Sequence, residues 1–200
     1  MTHDKRLSVI SSGKEHKNVI QGQFIDLHPY EQKHTPEIVR LRNQEKSLYY
    51  LNQKKLLTIE KQNEWYSNYI LRNDDINWCI SNKSGDIIGS IRLYTIDPQG
   101  EVCEEGGFII DEVHSMSGPY ALEAKIIVFD FAFDVLQIKK VINVTRKENK
   151  NMISIGKRMG FQFVKKVDKD NVIHNHYELR KSEYKRDILI QILDNWKVRT

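Results

Sequence analysis

Glu104 and Glu105 stand side by side in the stretch CEEGGFII, with Gly106-Gly107 directly after them. A carboxylate beside a glycine pair, where a second molecule has room to approach, suits the work of a general base. Successive strand residues face opposite sides, so at most one of the two faces a cleft. Glu105 is favoured, because the glycines open space next to it. Histidine is a residue type suited to the same work, although His114, as a lone loop histidine, is ordinarily a surface residue. His174 and His176 share one face of a strand, but no third and fourth ligand accompany them, so no metal is expected. The other suggestive feature is a junction. Gly118-Pro119 ends a loop and opens a long apolar run to Leu136. A helix starting there presents unpaired backbone N–H groups, which is a place for an anion.

These groups belong to a strand–loop–helix–strand–helix unit between Gly100 and Phe161. The strand is 101–110, the loop 111–118, the helix 119–136, the second strand 140–145 and the second helix 149–159. Two strands flanking one long helix form a right-handed crossover and lie parallel. Upstream, VIQGQFIDL (19–27) alternates as a strand and ends at His28-Pro29. Thr35-Pro36 opens a helix, and Thr58 caps another. Trp65, Tyr66, Tyr69 and Ile70 give that second helix an aromatic face, foremost for core packing. Strands at 76–81 and 87–96 flank a turn at 82–86. A further hairpin joins 161–167 to 172–179. The last helix, 183–196, sets Tyr184, Ile188, Ile192 and Trp196 on one face. This order predicts an α+β (α/β) fold in three layers, with a mixed, mostly antiparallel sheet of about seven strands and helices on both faces. Residues 1–18 read as a flexible arm, leaving 19–200 as a single domain.

The length of 200 residues suits one domain. No run approaches the ~20 apolar residues of a membrane span, and the N-terminus lacks the apolar centre of a signal peptide. Cys79 and Cys103 lack metal-type spacing and read as reduced thiols, so the expected compartment is cytoplasmic. The net charge is +4, with no Lys/Arg block of the kind that binds nucleic acid. Neither a membrane nor a nucleic-acid partner is expected.

The order of elements across Phe24–Leu179 resembles the GNAT superfamily of acyl-CoA-dependent N-acyltransferases. That family carries a pyrophosphate loop, Arg/Gln-x-x-Gly-x-Gly/Ala, between its fourth strand and the next helix. The matching stretch is Met116-Ser117-Gly118-Pro119-Tyr120-Ala121, followed by Leu122-Glu123-Ala124. Met116 and Pro119 depart from the pattern, and Pro119 removes one N–H donor. Asn149, eleven residues before Gly160-Phe161, reproduces a second family spacing. Arg42-Asn43, Thr58-Ile59 and Gln62-x-x-Trp65-Tyr66 are similar to the branch that acetylates nucleotide-linked amino sugars and ribosomal-protein N-termini.

The resemblance implies a splay between strands four and five and an acetyl-CoA site. It implies cofactor contacts from Phe108, Ile109, Ile110, Met116, Ser117, Gly118, Tyr120, Ala121, Asn149 and Met152. It implies an acceptor site with Arg42, Asn43 and Trp65, and a base at Glu105 or Glu104. The family often places a tyrosine acid seven residues after the asparagine, where this chain has Gly156. Tyr177, or a tyrosine of the N-terminal half, is the substitute considered. Otherwise the thiolate leaves without a proton, since a thiol's pKa is about 8.5. The expected function is acetyl-CoA-dependent N-acetylation of a small amine, foremost a nucleotide-linked amino sugar of surface-polysaccharide synthesis. The alternatives are protein N-terminal acetylation and non-catalytic acyl-CoA binding. A monomer or a homodimer fits equally.

Overall fold

The computed structural model describes residues 1–15, 17–97, 99–115 and 117–197. Eight strands make one sheet: β1 (Ile20–Gln21), β2 (Ile25–Pro29), β3 (Ile76–Asn82), β4 (Ile87–Tyr94), β5 (Val102–Ile110), β6 (Lys140–Arg146), β7 (Gln162–Lys169) and β8 (Val172–Arg180). Their order is β1-β2-β3-β4-β5-β6-β8-β7. Neighbours are antiparallel except β5 beside β6, the pair that the crossover helix joins. The expected fold class is therefore present, with eight strands instead of about seven. The extra strand arises because VIQGQFIDL folds back on itself and pairs Ile20 with Leu27.

The helices are α1 (His3–Ser12), α2 (Thr35–Arg42), α3 (Glu45–Tyr50), α4 (Ile59–Tyr69), α5 (Tyr120–Asp130), α6 (Lys150–Met159) and α7 (Arg186–Lys197). On one face of the sheet Trp78, Ile91, Leu93 and Cys103 meet Val128 and Phe129 of α5 and Leu189 of α7. On the other face Tyr30, Cys79 and Ile109 meet Ile38 and Leu41 of α2 and Tyr69 of α4. The two cysteines thus lie in different cores, both free, and burial pushes both thiols up. Helix α5 is buried on most of its sides, which is why it is apolar nearly all round. The apolar run predicts one helix to Leu136. Instead the α-helix ends at Asp130 and Phe131–Val135 form a π-helical turn. That turn sets Phe131 edge-on to Trp78, 5.3 Å away.

The expected flexible arm is instead an anchored helix. Thr2 caps α1, and Ile10 lies in the larger core. Arg6 Nε donates to the Leu136 carbonyl at 2.9 Å. Beyond α1, Lys14 Nζ donates to the carbonyls of Tyr69, at 3.1 Å, and Arg72. A cation is favoured there, at the C-terminus of α4. Only Arg6 and Ile10 of α1 are buried. The helix therefore has too little apolar periodicity to stand out in the sequence.

Two carboxylates join distant parts of the fold. Glu123, in the first turn of α5 and buried, accepts from the backbone N–H groups of Gln23, Phe24 and Ile25 at 2.5, 2.7 and 2.9 Å. It thereby holds the β1–β2 turn. Asp111, just after β5, accepts from Arg40 at 2.8 Å, Gln44 at 3.2 Å and the Val113 N–H at 3.1 Å. It ties the loop before α5 to the opposite layer.

Glu123→Ala strands three backbone donors and should lower stability by about 3 kcal/mol or more. Urea unfolding reads this directly, and an unchanged midpoint would contradict the clamp. At Asp111 burial favours the neutral acid, but Arg40, Gln44 and the Val113 N–H outweigh it and hold the carboxyl below its ordinary value. Its contribution is therefore complete above the unfolded pKa of about 3.9 and is lost as pH falls through the folded one. Asp111→Asn should be less stable than the parent at pH 7, with the gap closing below about pH 4. A gap that stays constant into acid would refute this.

Candidate active site

The parallel ladder between β5 and β6 runs from Val102–Lys140 to Glu105–Asn143 and stops. Both strands continue, β5 to Ile110 and β6 to Arg146, held on their outer flanks by β4 and β8. Their facing inner edges carry backbone groups with no ladder partner across the gap. A slot of this kind accepts an extended chain bearing amides, much as a sheet edge accepts a peptide. A bulge lies beside it. Ser90 pairs with Ile109 but Arg92 with Gly106, so β5 carries an extra residue. Gly107 has φ +57°, in the left-handed region that favours glycine. The bulge resets the alternation. Cys103 packs on the α5 side before it and Phe108 and Ile110 after it, while Ile109 joins the opposite core.

At the vertex of the slot Glu105, Asn143 and Tyr177 are paired side by side across three strands. Glu105 is 2% exposed. It accepts from Lys125 Nζ at 2.8 Å and Asn143 Nδ2 at 2.7 Å. Lys125 is buried too, with its ammonium 4.8 Å from the centre of the Phe108 ring. Glu105 is therefore not the open carboxylate that Gly106-Gly107 led one to expect; its oxygens are committed. Glu104 faces the other layer, next to Tyr94. Burial, then the adjacent Glu104 charge and its hydrogen bond, push the Tyr94 phenol up.

Lys125, Asn143, Thr145, Met152, Gly156 and Tyr177 are among the residues that line a narrow cavity at the vertex. Gly156 leaves it open, since a Cβ there would meet nothing nearer than Phe161 at 3.8 Å. Tyr177 and Met152 thus both border this cavity. The Tyr177 hydroxyl accepts from Asn175 Nδ2 at 3.2 Å. Asn149 caps α6 by accepting from the Met152 N–H at 3.2 Å, and Gly160 ends the same helix at φ +107°. The Asn149…Gly160-Phe161 spacing therefore marks the two ends of one helix.

At the start of α5, Pro119 makes no side-chain cap. The Glu123 N–H bonds back to the Pro119 carbonyl, so the amides of Tyr120, Ala121 and Leu122 have no partner within the helix. Ser117 Oγ donates to the His114 carbonyl at 3.1 Å. Gly118 lies under the Tyr120 ring, 2.8 Å from where its Cβ would be. Met116 lies outside the described residues.

On the opposite face Trp65 stacks on Tyr69 at 5.0 Å and meets Tyr30 edge-on at 5.6 Å. Arg92 stands over Trp65 and Tyr94 at 5.2 and 4.9 Å and pairs with the buried Asp75 through Nε at 2.7 Å. Arg42 is different. Its guanidinium donates to Gln53 Oε1 at 3.2 Å, and its buried Nε meets no acceptor among the described residues. Burial, and then the nearby Arg92 charge, push its pKa down. Asn43 is engaged within the chain. Its amide bonds the N–H and carbonyl of Leu57 at 2.8 and 2.9 Å and so fixes the chain before α4. Sequence reasoning missed Lys125, Asn143, Tyr94, Arg92 and Asp75. Only Lys125 left a signal, as a cation within the apolar run of α5.

A family model described as an acetyltransferase (GNAT) domain matches residues 25–162. No curated protein sequence matches the chain. Among solved structures, a GCN5-related N-acetyltransferase from Brucella melitensis shares 23% identity at a TM-score of 0.73, covering 92% of this chain and 86% of its own. Spermidine N-acetyltransferase from Vibrio cholerae, in complex with CoA and spermine, shares 18% at 0.73, covering 82% and 99%. Apo FdhC, described as a nucleotide-linked sugar GNAT, shares 24% at 0.73, covering 87% and 96%. At these identities the likenesses establish the fold, and the family match over most of the chain establishes the rest: the protein belongs to the GNAT family of acetyltransferases.

Proposed function

We propose that the protein is an acetyl-CoA-dependent N-acetyltransferase whose acceptor is an amine on an anionic small molecule, foremost a nucleotide-linked amino sugar. The unpaired inner edges of β5 and β6, with the bulge at Gly107, fit the amide-bearing pantetheine arm. The backbone of Phe108, Ile109 and Ile110 supplies one edge, and Met152 lies at the vertex. The amides of Tyr120, Ala121 and Leu122, at the positive end of α5, fit the pyrophosphate. Ser117 and Gly118 shape its approach. Bound there, acetyl-CoA supplies an acyl group already activated as a thioester.

The chain's own residues then manage position and protons. Glu104, on the acceptor side and beside Tyr94, takes the proton from the attacking amine. Trp65 and Arg92 form a flat, cationic wall for the acceptor. The observation that carries the choice of acceptor is Arg42. A guanidinium stays charged, and burying it beside a second arginine without a carboxylate is unfavourable until an anion arrives. A polycation such as spermidine would make that repulsion worse, whereas the phosphates of a nucleotide-linked sugar would relieve it.

Calorimetry should show acetyl-CoA binding, and no binding at millimolar ligand would end the proposal. In a thiol-release assay nucleotide-linked amino sugars should outperform spermidine and N-terminal peptides. A preference for spermidine would overturn the assignment of Arg42, and binding without turnover of any amine would leave a coenzyme-binding module. Arg42→Met should raise the acceptor KM about tenfold or more, the loss of roughly one charge-assisted contact, with the acetyl-CoA KM unchanged. Glu104→Gln should lower kcat by about 10²–10⁴-fold.

A further inference from the structure

The Lys125–Glu105 pair has no place in the reaction so far. As a stability device it is poor. Burying two charges costs several kcal/mol per ion, and apolar residues of similar volume often serve a core as well or better. Here it occupies the middle of the most apolar helix of the chain, where leucine or methionine would pack without that penalty. Buried charged pairs in clefts are also where functional groups concentrate. Its place is specific. Glu105 belongs to the last residue pair before β5 and β6 diverge. Lys125 lines the same vertex cavity as Gly156 and Tyr177 and, among the described residues that do, is the one formal charge.

The length of β5 locates the reactive end of an arm lying in the slot. From Ile110, next to the loop leading to α5, to Glu105 is five residues, or about 16 Å of strand. An arm whose phosphate end rests on the α5 amides and whose chain follows this edge ends at the Glu105–Asn143 row. The ammonium has three donors. One is directed to Glu105 Oε1, which fixes the position of the others. The rings of Phe108 and Phe129, 4.8 and 5.8 Å from Nζ, exclude water around it.

We propose that the Lys125 ammonium, held by Glu105, is the positive charge that meets the coenzyme A sulfur as it leaves, in the role left open by Gly156. This rests on the acetyltransferase reading above. The amine lone pair forms the new C–N bond, and the C–S bond breaks with its electron pair going to sulfur. The proton lost by the amine goes to Glu104 and on to solvent. Lys125 keeps its own proton and donates a hydrogen bond to the thiolate, which takes a proton from water on release. A fixed ammonium stabilises charge that develops in the transition state and is smaller in the thioester, so it acts on kcat more than on binding. Glu105 is the positioning residue that holds it.

The decisive measurement needs no turnover. Free coenzyme A is titrated while bound to the protein, and its thiolate is followed by ultraviolet absorbance. A fixed cation beside a thiol lowers its pKa, so the bound thiol should titrate about one pH unit or more below the free one. The double variant Lys125→Met with Glu105→Gln removes both charges and strands neither. In it the shift should vanish while coenzyme A still binds, and kcat should fall about 10–100-fold with the acetyl-CoA KM little changed. If that variant does not fold by circular dichroism, Lys125→Gln with Glu105→Gln is read in the same way. A bound thiol with an unshifted pKa in the parent protein overturns the proposal, as does a shift that survives loss of the lysine. Failure of coenzyme A to bind at all is a separate result: it removes the acetyltransferase reading, and this proposal with it.

Discussion

The parallel ladder between β5 and β6 ends after Glu105–Asn143, and most of what is distinctive in the structure follows from that early ending. Two strands that begin in register and have polar backbone on facing edges would normally stay paired, because an unpaired buried N–H or carbonyl is costly. Here other contacts fix the divergence. The bulge at Gly107 redirects β5, and Asn143 spends its side-chain N–H group on Glu105. The flanking strands β4 and β8 hold each arm of the V from outside. The opening is thus built into the folded state and needs no reordering of the strands to exist.

Charge is distributed unevenly across this opening. On the α5 side Lys125 pairs with Glu105, and Glu123 accepts from three backbone donors near residue 24. On the α2–α4 side Arg92 has Asp75, whereas among the described residues Arg42 bonds only the neutral Gln53.

Much of the scaffold was legible in the sequence, because its signals are local. Thr58 caps α4 as read, Asn149 and Gly160 bound α6, and the crossover from β5 through α5 to β6 follows from apolar runs of fitting length. What could not be read depends on partners distant in the chain. The fold-back at Gly22–Phe24 is held by Glu123, about a hundred residues later. The engagement of Glu105 depends on Lys125 and Asn143, which strand alternation cannot reveal. The glycine pair that suggested open space beside Glu105 instead forms the bulge, and the space opens along the edge of β5. Tyr177 could be placed at the vertex only through the register of β8 on β6.

Helix α1 carries an implication for what gives a short helix its form. Arg6 bonds the Leu136 carbonyl, and Lys14 bonds Tyr69 and Arg72. These partners lie 130, 55 and 58 residues further along the chain. A helix of ten residues is too short to hold its form alone in water, and Ile10 has no complete core to enter until α5 exists. The helix is therefore held in place by the turn that follows α5 and by the end of α4, and its form depends on those distant segments more than on its own sequence.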